Sequence, residues 1–200
     1  MDEPRLVLAS ASPRRAELLL RMELDVEVLP ADVDERYLDG EDPEAHVERL
    51  ARTKAETVAA RTPGALVVGG DTVVVDGDTV LGKPADSDEA VAMLRGLSGR
   101  EHRVLSGVAL CGPSGTVSAV GQAIVRFRTF DEAEARAYVA TGEPMDKAGA
   151  YGIQGMGGAL VEEIRGDYYT VVGFPVVRFV ELLARAGWRY AFGRLERAGE

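Results

Sequence analysis

Apolar runs of strand length alternate with segments of helical periodicity along most of this 200-residue chain. Residues 5–9 (RLVLA) read as a short buried strand. A helix follows over 13–22, with Ser12 placed to cap it and Pro13 as its first residue. Residues 25–29 predict a second strand, 31–41 an acidic loop, and 43–61 a long helix capped by Asp42. The β run 65–75 is interrupted by Gly69-Gly70-Asp71, and Asp76-Gly77 predicts a hairpin returning through 79–81. Asp86 with Glu89, and Thr129 with Glu132, have the spacing of capping boxes, for helices to about 97 and about 140. Between them, 104–110 and 116–127 predict two long antiparallel strands. A glycine-rich stretch spans 148–159, a strand follows at 160–164, and a last helix covers 175–186. The alternation predicts an α/β (mixed α+β) fold: a single domain over 1–200 with a long, twisted, mixed sheet flanked by helices.

Composition narrows the classes. The hydrophobic share of 46% and charged share of 28% are those of a globular chain. A net charge of −10 argues against a general nucleic-acid binder. The lone Cys111 cannot form an internal disulfide and reads as a small buried hydrophobe. The start, with Asp2 and Glu3, lacks the basic-then-apolar pattern of a signal peptide. Residues 104–125 carry no charge, but Pro113-Ser114-Gly115 breaks them into two strands rather than a membrane helix. The expectation is a cytoplasmic protein with no membrane or nucleic-acid partner. All but three of the 23 basic side chains are Arg; the lysines are Lys54, Lys83 and Lys147.

Four segments break local rules, and such breaks concentrate at functional sites. Arg14 and Arg15 occupy the first turn of a helix, where the dipole prefers acidic groups. With Ser10, Ser12 and free backbone N–H groups they form a candidate phosphate cradle. Lys54 lies seven residues after Val47, on the apolar stripe of its helix. Asp71 stands between buried-strand sequences and needs a partner, a metal or a proton-transfer task. Gly69 and Gly70 beside it read as room for close approach of a ligand. Lys83, in Gly82-Lys83-Pro84, follows after an excursion long enough to return to Asp71. The run Asp146-Lys-Ala-Gly-Ala-Tyr151-Gly-Ile-Gln154-Gly155 reads as a tight wall for a planar ligand, with Gln154 offering a donor and an acceptor to a base edge. His46 and His102 lack metal-ligand spacing and read as structural.

Together, Ser-x-Ser-Pro-Arg-Arg, Gly-Asp-Thr-x-Val, Gly-Lys-Pro and Asp-Lys-Ala-Gly-x-Tyr-Gly-Ile-Gln-Gly resemble the Maf family of nucleotide pyrophosphatases, related in fold to the inosine triphosphatase group. The likeness covers about residues 5–186; the 187–200 tail lies beyond it. Gly70 stands where relatives often have Ala. The resemblance implies hydrolysis of a nucleoside triphosphate to the monophosphate and pyrophosphate, with Mg²⁺ or Mn²⁺ as cofactor. It implies catalytic roles for Asp71, Lys54 and Lys83, metal binding by Asp71 and Glu35, phosphate contacts from Ser10 and Arg15, and base selection by Arg14, Thr72 and Gln154. The late motif has the form of the branch acting on dTTP and UTP, including modified pyrimidine triphosphates, and the family suggests a homodimer. The rivals are a phosphatase releasing orthophosphate and a nucleotide-sensing regulator of cell division and septum formation.

Overall fold

A computed structural model describes residues 3–199. Met1, Asp2 and Glu200 lie outside the described residues, and with them the acidic second position and the last residue of the tail. In chain order the elements are β1 (Leu6–Leu8), α1 (Pro13–Arg21), β2 (Glu27–Val28), α2 (Pro43–Ala59), β3 (Leu66–Asp76) and β4 (Thr79–Leu81). Then come α3 (Ser87–Leu97), β5 (Glu101–Gly112), β6 (Gly115–Phe127), α4 (Glu132–Val139), three short 3-10 turns between 143 and 160, and β7 (Val161–Gly166). The chain closes with α5 (Tyr168–Val172), α6 (Val176–Arg185), β8 (Trp188–Tyr190) and β9 (Leu195–Arg197). The main sheet is mixed, in the order β2-β1-β3-β5-β6-β7 with β4 on β3, so the predicted α/β class is correct.

The chain divides into two compact units. Among the described residues, the first comprises those from 3 to 71, 106–121 and those from 173 to 199. Here β1 runs parallel to both β2 and β3, with Leu6, Val7 and Leu8 level with Leu66, Val67 and Val68. One face of the sheet buries Val7 of β1, Ala9, Val67 of β3 and Ala109 of β5 against Ala51, Ala55 and Val58 of α2, with half-buried Cys111 packed on the cluster. The tail is part of this unit: β8 and β9 form a hairpin, Tyr190 donates to the Met22 carbonyl, and Arg197 stacks on Trp188. The second unit comprises 72–105 and 122–172. Its core gathers Leu94 and Leu97 of α3, Phe127 of β6, Phe130, Tyr138 of α4 and Tyr151. His102 sits among these rings, edge-on to Phe127 and Tyr151.

Four sequence expectations are corrected. β3 is continuous through Gly69-Gly70-Asp71 rather than interrupted. Ser12 occupies the α1 cap position but makes no side-chain cap bond; the Ser12 N–H donates instead to Ser10 Oγ. Thr129 does not cap α4: Asp131, nearer the first turn, accepts from the Glu134 N–H at 2.9 Å. Glu89 closes its box one residue early, accepting from the Ala85 N–H while Asp86 accepts from the Glu89 N–H. Among the described residues, no helix is long and apolar enough to cross a membrane.

Candidate active site

Register places the first part of the site. Because Leu8 is level with Val68, Gly69-Gly70-Asp71 extends past the carboxyl end of β1, beside the Ser10 turn. Ligands of parallel sheets gather at that end of the strands. Residues two apart on a strand share a face, so Gly69 and Asp71 look the same way. A Cβ on Gly69 would lie 2.1 Å from the Ala51 carbonyl oxygen, and one on Gly107 of β5 would lie 2.2 Å from that of Val47. The two bare positions let the α2 backbone rest directly on the sheet. Lys54, three residues after Ala51, then reaches Asp71.

Lys54 is buried at 6% exposure and donates to Asp71 Oδ1 at 2.8 Å. Its Nζ also lies 2.7 Å from Glu35 Oε1, so one ammonium bridges two carboxylates. The Asp71 side chain is 11% exposed and that of Glu35 57%. Asp71 Oδ2 makes no hydrogen bond among the described residues. Arg15, also buried, donates to Ser10 Oγ at 2.9 Å and to the Gly173 carbonyl at 2.8 Å. Burial pulls its guanidinium below the ordinary arginine value and Arg14 adds to that, while the charges of Asp71 and Glu35 oppose it. Ser10, Arg15, Glu35, Lys54 and Asp71 are thus gathered in one unit. Arg14 is half-buried in the first turn of α1.

Glu35 rides on the acidic segment 31–41, and contacts missed by the sequence reading tie that segment to α2. Arg49 donates from Nε to Glu41 Oε1 and from Nη2 to Glu41 Oε2, at 2.5 and 2.7 Å. His46 Nδ1 lies 2.9 Å from the same carboxylate, and Tyr37 stacks on the His46 ring at 3.5 Å. The Arg49 bonds hold the Glu41 carboxyl at about 2. An Arg two turns from Asp42 and an acid preceding the cap were the available signals, and neither is distinctive.

Thr72, Lys83 and Gln154 belong to the second unit. Thr72 is half-buried; Lys83 and Gln154 are exposed. The Gly149 N–H donates to the Gly82 carbonyl at 3.0 Å, so the Gly-Lys-Pro turn and the late motif are joined by backbone. Lys147 donates to the Glu143 carbonyl and to Asp146. Tyr151 is core: its hydroxyl lies 2.9 Å from His102 Nε2, and burial raises its pKa. The glycines correct an expectation. The room beside Gly69 and Gly70 is taken by α2 and the Arg15 side chain rather than a ligand. That beside Gly152, Gly155 and Gly157 is taken by Lys147, Glu143 and Tyr138.

No group of three or more His, Cys, Asp or Glu among the described residues has metal-binding geometry. The two carboxylates converging on Lys54 still suit Mg²⁺ or Mn²⁺. Such ions commonly take one or two protein carboxylates and complete their shell with substrate phosphates and water.

The mixed α/β fold sets a buried lysine between two carboxylates at a strand end, and the relatives make the class that of a hydrolase acting on nucleoside triphosphates. The sequence matches the profile of the Maf-like proteins over residues 5–186, and the chain belongs to that family. It is 50% identical over 184 residues to the dTTP/UTP pyrophosphatase of Symbiobacterium thermophilum, covering 92% of this chain and 95% of that one. It is 49% identical to the dTTP/UTP pyrophosphatase of Koribacter versatilis, over 91% and 94% of the two chains. Among solved structures, a HAM1 protein from Coxiella burnetii is similar at 14% identity and a TM-score of 0.45, over 92% and 98% of the chains. The Staphylococcus aureus Ham1 protein is similar at 18% identity and 0.44, over 62% and 71%.

Proposed function

We propose that this protein is a nucleoside triphosphate pyrophosphatase that converts dTTP and UTP, and modified pyrimidine analogues, to the monophosphate and pyrophosphate. The observation that carries the chemistry is the buried Lys54–Asp71 pair. A water oxygen bonds to the α-phosphorus, the bond from that phosphorus to the bridging oxygen breaks, and pyrophosphate leaves. Asp71, through the oxygen that Lys54 does not hold, takes the proton of the attacking water. Lys54 and Arg15 offset charge on the transferring phosphoryl group, and Lys83 offsets charge on the leaving pyrophosphate. Ser10 fixes the Arg15 guanidinium. A divalent cation held by Asp71 and Glu35 would add Lewis-acid polarisation of the phosphate. Arg14, Thr72 and Gln154 select the base. The Gln154 amide offers the donor and acceptor that match the imide edge shared by thymine and uracil.

The reading extends to a cytoplasmic homodimer. A sensing role without turnover is not favoured, since it has no need of a buried ammonium between carboxylates. The direct test incubates the protein with dTTP, UTP, CTP, ATP and GTP in Mg²⁺ or Mn²⁺. Pyrophosphate from dTTP and UTP is expected; orthophosphate, or binding without turnover, would overturn the proposal. Asp71→Asn should retain its fold, seen by circular dichroism, and lose at least about a hundredfold in kcat.

A further inference from the structure

The turn carrying Gln154 is wound around one carboxylate. Glu143 Oε1 accepts from the Tyr138 hydroxyl at 2.8 Å and the Gly157 N–H at 3.1 Å, and Oε2 accepts from the Met156 N–H at 2.9 Å. The Tyr138 hydroxyl in turn accepts from the Gly152 N–H at 3.0 Å. Three backbone donors on either side of Gln154 are thereby satisfied by two side chains.

The glycines report the same knot. A Cβ on Gly155 would lie 2.4 Å from Glu143 Oε2, one on Gly157 would lie 2.4 Å from the Tyr138 hydroxyl, and one on Gly152 would lie 2.6 Å from Lys147 Cε. Each contact is closer than real Cβ atoms approach, so the three residues are bare where the polar knot occupies their space. Gln154 itself is exposed and makes no hydrogen bond among the described residues. Its side chain has nothing of its own to aim it; its placement comes from the backbone.

We infer that Glu143 is a positioning residue for Gln154: by holding the 152–157 turn it sets where the Gln154 amide is presented, and so which base is accepted. This rests on the reading of Gln154 as a base contact. Removing the carboxylate strands the Met156 and Gly157 N–H groups and frees the turn to wander. A misplaced recognition group costs binding and selectivity more than chemistry.

The test measures kcat and KM for dTTP and dCTP in Glu143→Ala, Glu143→Gln and Gln154→Ala, with amide hydrogen exchange at Met156 and Gly157. Glu143→Ala should raise KM for dTTP about tenfold with kcat within about twofold. It should lower the dTTP-to-dCTP ratio of kcat/KM as Gln154→Ala does, and speed exchange at both amides. Glu143→Gln keeps one oxygen acceptor, should fall between, and carries the test if the alanine variant does not fold. A wild-type ratio in folded Glu143 variants, with the ratio shifted in Gln154→Ala, overturns the positioning role. A wild-type ratio in Gln154→Ala overturns the assignment of Gln154, and with it the route through Glu143.

Discussion

Lys54 shows how one side chain holds chemistry and fold together. Its ammonium compensates an Asp71 carboxylate that is largely out of water, so removing it leaves a buried charge without its direct partner. Lys54→Met should lose at least about a hundredfold in kcat. It should also destabilise by about 2 kcal/mol, lessened from the usual loss because Arg15 adds compensating charge. Adding Asp71→Asn to Lys54→Met should restore part of that stability, which urea denaturation of the two variants checks. Equal stability of Lys54→Met and the double variant would show that Asp71 is not left as an uncompensated buried charge. Lys54→Arg should also lose activity, since the larger planar guanidinium does not occupy the buried space of a compact ammonium.

At the scale of elements, the contact of α2 with the sheet sets the site. Gly69→Ala should destabilise by roughly 3 kcal/mol or prevent folding, because the new methyl meets helix backbone that cannot step aside. Gly70→Ala meets Arg15 Nε at 3.1 Å, a buried side chain held by Ser10 and Gly173, and should cost less than Gly69→Ala because the neighbour must give by only a few tenths of an ångström. Thermal unfolding of the two variants separates these outcomes. Much of this level was legible in the sequence: Asp42 and Asp86 cap as their spacing predicts, and Lys54 points along its stripe because helix period fixes its direction. What was not legible has physical causes. Asp131 displaced Thr129 because a carboxylate two residues closer to the free N–H groups is the better acceptor. β8, β9 and α5 are only three to five residues long, too short for periodicity to register. A missing Cβ announces that something comes close without saying what, so glycines read as ligand space were filled by the protein's own atoms. The Lys54–Glu35 bridge and the Glu143 knot join residues distant in sequence through geometry that no local pattern encodes.

Across the chain, two of the groups on which acid acts are His102 and Glu41, one in each unit. Burial holds the His102 imidazole down at about 4, against an ordinary 6.5, although Asp76 pulls the other way. The unfolded chain therefore binds a proton in that window that the folded chain refuses. The stability tied to a neutral His102 is complete above about pH 6.5 and is lost toward pH 4, on the order of 3 kcal/mol. Glu41, held at about 2 by Arg49, adds a second loss: its contribution is complete above about 4.5 and declines toward pH 2. The drop in urea midpoint between pH 7 and pH 5 should shrink in His102→Phe; an unchanged drop would assign the sensitivity elsewhere. The upper window also contains the isoelectric point, near 4.8, so weakened structure and vanishing net charge coincide. Ionic strength offers a different handle. The Lys54 bridge has one solvated limb, to Glu35, and one sheltered limb, to Asp71. Mobile ions screen the first and barely reach the second. Added potassium chloride thus works as a selective key: it loosens the 31–41 strap from the lysine while leaving the reactive pair locked.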